Sequence, residues 1–243
     1  MPLEVHPVSE ADLPRIVRSQ YAASHPMDPL HRLIYPSPHP PTEEIYQRTV
    51  QRQRKTLNDD NTTWIKVVER DADTGTETII AAAKWLIWSP AEPTAEEPRW
   101  QERVSVSWVQ DAEAGRDNVP QGVGVNDQPY VEWVMHEFYQ RRRDHMQGPC
   151  ALLDLCFTDP AWHRRGAGKL LVQWGTERAD ALGVKCIVEA SYPGKQLYES
   201  CGFVLTKDVV LNGSEQSPDW ASYGTPGYLL MERLAMSRNS STV

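Results

Sequence analysis

Apolar and polar residues alternate over residues 3–8, the pattern of a half-buried edge strand. Ser9 follows, with Asp12 three residues on as a partner for capping a helix. Leu13, Ile16 and Val17 recur at helical spacing, and the helix runs to about Ser24. Residues 25–41 are rich in proline, which rules out one continuous helix. Thr42 caps a second helix over about 43–57, rich in arginine and glutamine. Residues 62–70 and 78–88 are strand-like and flank a turn at 71–75, so they form a hairpin. Val131, Val134, Met135 and Phe138 predict a helix over 130–145.

The clearest pattern lies in residues 151–182. Residues 151–158 are apolar apart from Asp154, as in a central strand, and Asp159-Pro160 stops them. A turn carrying Gly166 and Gly168 follows. From Lys169 the apolar residues Leu170, Leu171, Val172 and Trp174 take near-helical spacing, and Gly183 is suited to cap that helix. Residues 185–190 read as a strand, 195–203 as a short helix ending at Gly202, and 204–211 and 227–234 as two more strands with a polar loop between them. The order predicts a single α/β domain over 1–235, with a mixed central sheet of about seven strands and helices on both faces. Residues 89–129 break the periodicity and read as an insertion before the central strand, and residues 236–243 as a loose tail.

Composition narrows the function classes. Hydrophobic residues are 40% and charged residues 24%, ordinary for a globular protein. A formal net charge of −8 gives no basis for bulk binding to nucleic acid or an anionic membrane. The nine tryptophans fit packing, with an aromatic substrate pocket as the alternative. Cys150, Cys156, Cys186 and Cys201 form no Cys-x-x-Cys pair and no metal-ligand spacing with histidine, so we expect reduced thiols and no metal. The N-terminus has no secretory pattern and no window approaches the ~20 apolar residues of a membrane span. The expected setting is cytoplasmic.

The glycine turn carries the candidate chemistry. The first N–H groups of a helix lack internal partners and lie at the positive end of its dipole. Glycines let a phosphate approach that backbone, and Arg164 and Arg165 add charge, which makes the turn a candidate pyrophosphate cradle. The alternative is a packing corner. The turn is neither a Walker loop nor the dinucleotide fingerprint, whose spacings it lacks.

His163-x-x-Gly166-x-Gly168 after a strand, followed by Leu197-Tyr198-Glu199-Ser200-Cys201-Gly202-Phe203, resembles the GNAT superfamily of acyl-CoA-dependent N-acetyltransferases. The run Glu189-Ala190-Ser191 resembles the branch common in fungi. The likeness covers about residues 150–205. It implies the GNAT fold, with acetyl-CoA as co-substrate in a V-shaped opening between the fourth and fifth strands. Phe157 and Thr158 would pair with the pantetheine arm, and the N–H groups of Arg165, Gly166, Ala167, Gly168 and Lys169 would hold the pyrophosphate beside His163 and Arg164. His163 stands where the family usually has Arg or Gln, and Ser191 replaces a common asparagine near the pantetheine.

The resemblance also makes Tyr198 the proton donor to the leaving thiolate and a contact of CoA. Candidates for the general base are Glu189 and Glu132, and a buried structural carboxylate is the other reading of Glu189. Residues 25–41 would border the acceptor as a lid. The implied function is transfer of an acetyl group from acetyl-CoA to a small-molecule amine. A CoA-binding protein without acetyl transfer, and an O-acetyltransferase, are the alternatives. The acceptor and the oligomeric state stay open.

Overall fold

The computed structural model of the chain describes residues 2–24, 29–35, 37–90, 128–146 and 148–236. Residues 91–127 of the expected insertion and 237–243 of the expected tail lie outside the described residues. The strands are β1 (Leu3–Pro7), β2 (Thr62–Arg70), β3 (Glu77–Ile87), β4 (Cys150–Thr158), β5 (Lys185–Ala190), β6 (Val204–Val210) and β7 (Gly227–Arg233). They form one seven-strand sheet in the order β1-β2-β3-β4-β5-β7-β6. Every neighbouring pair is antiparallel except β4 and β5, which are parallel. The mixed α/β architecture with helices on both faces is the one the sequence predicts.

The helices are α1 (Leu13–Ser24), α2 (Pro29–Ile34), α3 (Glu43–Thr56), α4 (Gln128–His145), α5 (Ala167–Leu182) and α6 (Lys195–Ser200). Alternation along the strands assigns each residue to a face. One face presents Ala81, Ala83, Trp85, Ala151, Leu153, Cys186 and Val188 to Leu171, Val172 and Ala179 of α5. The indole N–H of Trp85 also donates to the Leu171 carbonyl at 3.2 Å. On the opposite face Leu152, Ile187, Tyr228 and Leu230 meet Tyr130, Val134 and Phe138 of α4. Beside them Ile16 of α1 covers Trp64 and Ala82, with Leu155 and Phe157 packed alongside.

Local chemistry accounts for the element ends. The Ser9 N–H donates to the Asp12 carboxylate at 2.7 Å, although the first turn, Glu10–Asp12, is a 3-10 turn rather than α-helix. Thr42 Oγ1 accepts the Ile45 N–H at 3.4 Å. Gly183, at φ +69°, closes α5 as expected. One difference is α2, a six-residue helix inside the stretch read as irregular. Proline interrupts helices but is suited to their first position, where its missing N–H has no partner to lose. Pro29 stands at that position.

The helices α1, α2 and α3 meet over a buried polar cluster. Gln20 Nε2 lies 3.2 Å from His31 Nε2, Gln53 Nε2 donates to Gln20 Oε1 at 3.3 Å and to the Tyr35 hydroxyl at 3.2 Å, and the Tyr21 and Thr49 hydroxyls are 2.9 Å apart. Burial, helped by the Arg52 charge, pushes the His31 pKa down to about 3. Folding therefore keeps His31 neutral while the unfolded chain protonates it below about 6.5. Its contribution to stability is complete above that pH and falls away as the pH drops towards 3. His31→Gln is expected to be less stable than wild type at pH 7. Chemical denaturation against pH should show the gap closing between pH 6.5 and 3, by up to about 1.4 kcal/mol per pH unit.

Candidate active site

The centre of the sheet contains a break. The parallel ladder of β4 and β5 runs from Cys150 opposite Lys185 to Leu153 opposite Val188 and stops there. Both strands continue, but with other partners: β4 stays on β3 as far as Thr158 opposite Ala81, and β5 stays on β7 as far as Ala190 opposite Leu229. The inner edges of residues 154–158 and 189–190 thus face each other with no shared ladder. A bulge marks the branch point, since Leu153 lies opposite Trp85 and Leu155 opposite Lys84, leaving Asp154 as the extra residue.

Which backbone groups are free follows from the pleat. The Asp159 N–H donates to the Ile80 carbonyl at 2.8 Å. Antiparallel alternation then turns the backbone groups of Phe157 towards β3 and those of Cys156 and Thr158 towards the opening. The expectation that Phe157 would pair with an extended ligand through its backbone is thereby corrected. Its bonding groups are spent on β3, although its side chain borders the opening.

The turn after β4 leads into the N-terminus of α5. Asp159 Oδ1 caps the 3-10 turn Pro160–Trp162 by accepting the Ala161 N–H at 3.1 Å. Arg164 takes φ +63° and Gly166 φ +90°, so the backbone curls twice through the left-handed region, where a non-glycine residue such as Arg164 carries strain. The first helical bond of α5 runs from the Leu170 N–H to the Gly166 carbonyl at 3.2 Å. The N–H groups of Ala167, Gly168 and Lys169 precede it and have no helical partner. A Cβ on Gly168 would lie 3.1 Å from Leu197 Cδ2 and 3.7 Å from Thr158 Oγ1, so this residue lets α5 approach β4 and α6 closely.

These elements enclose a cleft of about 430 Å³. Phe157, Thr158, His163, Arg164, Gly166, Ala167, Gly168, Lys169, Ser191 and Tyr198 all line it, so the structure brings most of the expected site together. Ala23 and Ser24 at the end of α1, and Cys156, line it as well. The sequence pattern does not single out these three: Cys156 falls within an apolar strand run, and nothing in the pattern of α1 marks its last turn as lining.

Three expected residues are placed elsewhere. The Arg165 guanidinium donates to Glu69 Oε1 on β2 at 2.7 Å, and the Trp162 indole donates to the other oxygen of Glu69 at 3.2 Å. Arg165 does not line the cleft, and its side-chain charge, expected beside the turn's N–H groups, ties the turn to β2 instead. Glu132 is an exposed residue of α4. Glu189 does not line the cleft either: its carboxylate faces α4, where the Arg142 Nε donates to Oε1 at 3.0 Å and to Oε2 at 2.8 Å. Burial raises the Glu189 pKa while Arg142 works to lower it.

His163 and Tyr198 are in the lining but differently engaged. His163 Nε2 is 3.0 Å from the Thr158 carbonyl, so its Nε2–H is spent there rather than on an anion. The Tyr198 side chain is almost wholly buried, edge-on to Phe203 at 5.9 Å between centroids, with its hydroxyl hydrogen-bonded to Cys156. Burial, with the thiol beside it, raises the Tyr198 pKa well above 10, so the phenol keeps its proton. Burial likewise pushes the Cys156 thiol up to about 12.

A central parallel pair that parts beside a helix N-terminus, with an extended edge and the first N–H groups of α5 on one cleft, is the arrangement expected of a GNAT acyltransferase scaffold. The chain belongs to the acetyltransferase (GNAT) family, whose model matches residues 26–203. None of the curated protein sequences matches it significantly. Among solved structures, an acetyltransferase of Corynebacterium glutamicum described as histone acetyltransferase HPA2 and related acetyltransferase is similar at TM-score 0.56 and 18% identity, covering 98% of this chain and 99% of that one. Arylalkylamine N-acetyltransferase 2 of Aedes aegypti is similar at 0.59 and 12%, covering 97% and 100%. A phosphinothricin acetyltransferase of Sinorhizobium meliloti, solved in complex with AcCoA, is similar at 0.50 and 13%, covering 100% and 94%. At these identities the likeness shows the fold.

The raised thiol pKa makes a reactivity prediction. At pH 8 Cys156 should be alkylated by iodoacetamide about a thousandfold more slowly in the native protein than in the unfolded chain, because the thiolate fraction falls with the shift to about 12. Peptide mass mapping after timed labelling checks this.

Proposed function

We propose that the protein is an acetyl-CoA-dependent N-acetyltransferase that acetylates a small-molecule amine. The observation that carries this reading is the convergence, on one cleft, of the N–H groups of Ala167, Gly168 and Lys169 with the unpaired edge of β4 beyond Leu153. In this reading those N–H groups take the pyrophosphate, with the charges of Arg164 and Lys169 alongside. The backbone of Cys156 and Thr158 pairs with the pantetheine arm as an added strand would.

The acetyl thioester supplies the acyl group, which passes to the amine nitrogen as the carbon–sulfur bond breaks. Tyr198 keeps its proton at neutral pH and is the hydrogen-bond donor for the departing sulfur, exchanging Cys156 for the thiolate. Among the described residues lining the cleft there is no carboxylate, so the amine's proton leaves through water in this reading. Glu189, closed in by Arg142, is assigned to the scaffold rather than to proton transfer. Holding the two reactants together accounts for much of the rate. A cytoplasmic setting and membership of the fungal-type branch, which rests on Glu189 to Ser191, belong to the same reading.

Calorimetric titration tests the donor site. Acetyl-CoA and CoA should bind with micromolar affinity, and Gly168→Glu, which fills the space before Leu197 and adds a negative charge, should abolish binding while the protein stays folded. Unchanged binding in that variant would remove the cradle from the reading. Thiol release with a panel of amines tests the reaction. Binding without amine-dependent release would mark a CoA-binding protein instead. For Tyr198→Phe we expect kcat to fall about tenfold to a hundredfold, with acetyl-CoA affinity changed less than about threefold. An unaltered kcat would rule out Tyr198 as the donor.

A further inference from the structure

Four charged side chains meet where the ladder of β4 and β5 ends, and none of them lines the cleft. Arg142, near the C-terminal end of α4, reaches down to the sheet. Besides its two Nε bonds to Glu189 it holds the same carboxylate through NH2, and its NH1 donates to Asp154 Oδ1 at 3.1 Å. Lys84 of β3 takes the other Asp154 oxygen at 3.0 Å. All four side chains are more than nine-tenths buried, and they balance two positive charges against two negative. The guanidinium carbon lies 4.8 Å from the Phe138 ring centroid and 5.6 Å from that of Tyr139, so α4 fixes its position from behind. Burial works against the Arg142 charge, but Glu189 and Asp154 outweigh it and hold its pKa above the ordinary value. The same cations hold the Asp154 carboxyl at about 2 in spite of burial.

The register shows what this arrangement does. Leu153 is opposite Val188, so a continued ladder would set Asp154 directly opposite Glu189. Ala151 and Cys186 share one face and Leu152 and Ile187 the other, which puts Asp154 and Glu189 on the same face, towards α4. Two carboxylates facing each other across neighbouring strands repel. A guanidinium seated between the two, bonded to both, sets a donor-to-acceptor span on each side of a planar group, which favours strands set apart over a completed ladder.

We propose that Arg142 is a positioning residue of the donor site: by bridging Asp154 and Glu189 it holds β4 and β5 apart, and so keeps the β4 edge open for the pantetheine arm. The proposal rests on the donor-site reading above. Arg142 acts through the strands and touches no substrate. Lys84 completes the charge balance and pins the bulge from β3.

Titration of acetyl-CoA into Arg142→Lys and Glu189→Gln, with amide hydrogen exchange on each, tests it. Lysine keeps the charge but cannot bond two carboxylates in a fixed fork. We expect acetyl-CoA binding at least tenfold weaker for Arg142→Lys at a temperature where it is fully folded, and slower exchange at the Cys156 and Thr158 N–H groups as the opening narrows. A purely structural role would lower the melting temperature and leave both readouts of the folded protein at wild-type values. Binding within twofold of wild type in folded Arg142→Lys overturns the proposal. Should Arg142→Lys not fold, Glu189→Gln, which keeps the side-chain shape, decides: weakening of at least threefold supports the proposal, and unchanged affinity overturns it. If wild type itself fails to bind acetyl-CoA, the donor-site reading falls, and the proposal falls with it.

Discussion

The site depends on two parallel strands at the centre of a sheet that stop pairing halfway along. A buried backbone leaves its N–H and C=O groups unbonded only at considerable cost. Here the cost is contained because each strand keeps its outer neighbour, β3 for β4 and β7 for β5, so among the described residues it is the inner edges beyond Leu153 and Val188 that share no ladder. The β4 edge opens on a cleft, which Cys156, Phe157 and Thr158 line. Such an edge is a template for an extended ligand, and the first turn of α5, with its unpaired N–H groups, lies against the same space.

The charged cluster at the branch point is balanced in a way that such clusters must be. Removing four charges from water carries a penalty of several kcal/mol per ion unless every lone pair and proton is met. Each Asp154 oxygen has its own cation, and both Glu189 oxygens bond Arg142. Clusters of this kind add little net stability compared with apolar packing of the same shape, but they specify one arrangement, because any misplacement leaves a buried charge alone. The arrangement specified here joins α4, β3, β4 and β5 at one point.

The turn that carries the cradle is held from two sides. Arg15 of α1 donates to Asp159 Oδ2 at 2.7 Å, Ser19 donates to the same oxygen at 3.2 Å, and the Arg15 guanidinium also lies 5.6 Å from the centre of the Trp162 ring. From β2, Glu69 holds both Trp162 and Arg165. Arg165 is about half exposed, so its ion pair adds little energy. The value of these contacts is geometric. They brace the turn at the strained Arg164 and tie it to α1, whose last turn lines the cleft.

What the sequence determined by itself is local. The strand, glycine turn and helix of residues 150–182 were legible from apolar periodicity, a proline stop and glycines, because neighbouring residues set backbone conformation. With them came Gly166, Gly168 and the N–H groups that open α5, and Tyr198 entered through a motif of seven consecutive residues. The short helix α2 escaped because proline signals a break more often than a beginning. Tertiary structure alone decided which side chains are available for chemistry. Arg165 belongs by sequence with the cradle, yet it meets Glu69, 96 positions away. Glu189 reads as a base and is closed in by Arg142, 47 positions away. Phe157 reads by sequence as part of a free edge that the pleat gives to its neighbours. In each case a charged or bonding group takes the best partner the packed fold brings within about 3 Å, and pairing at that range is invisible along the chain.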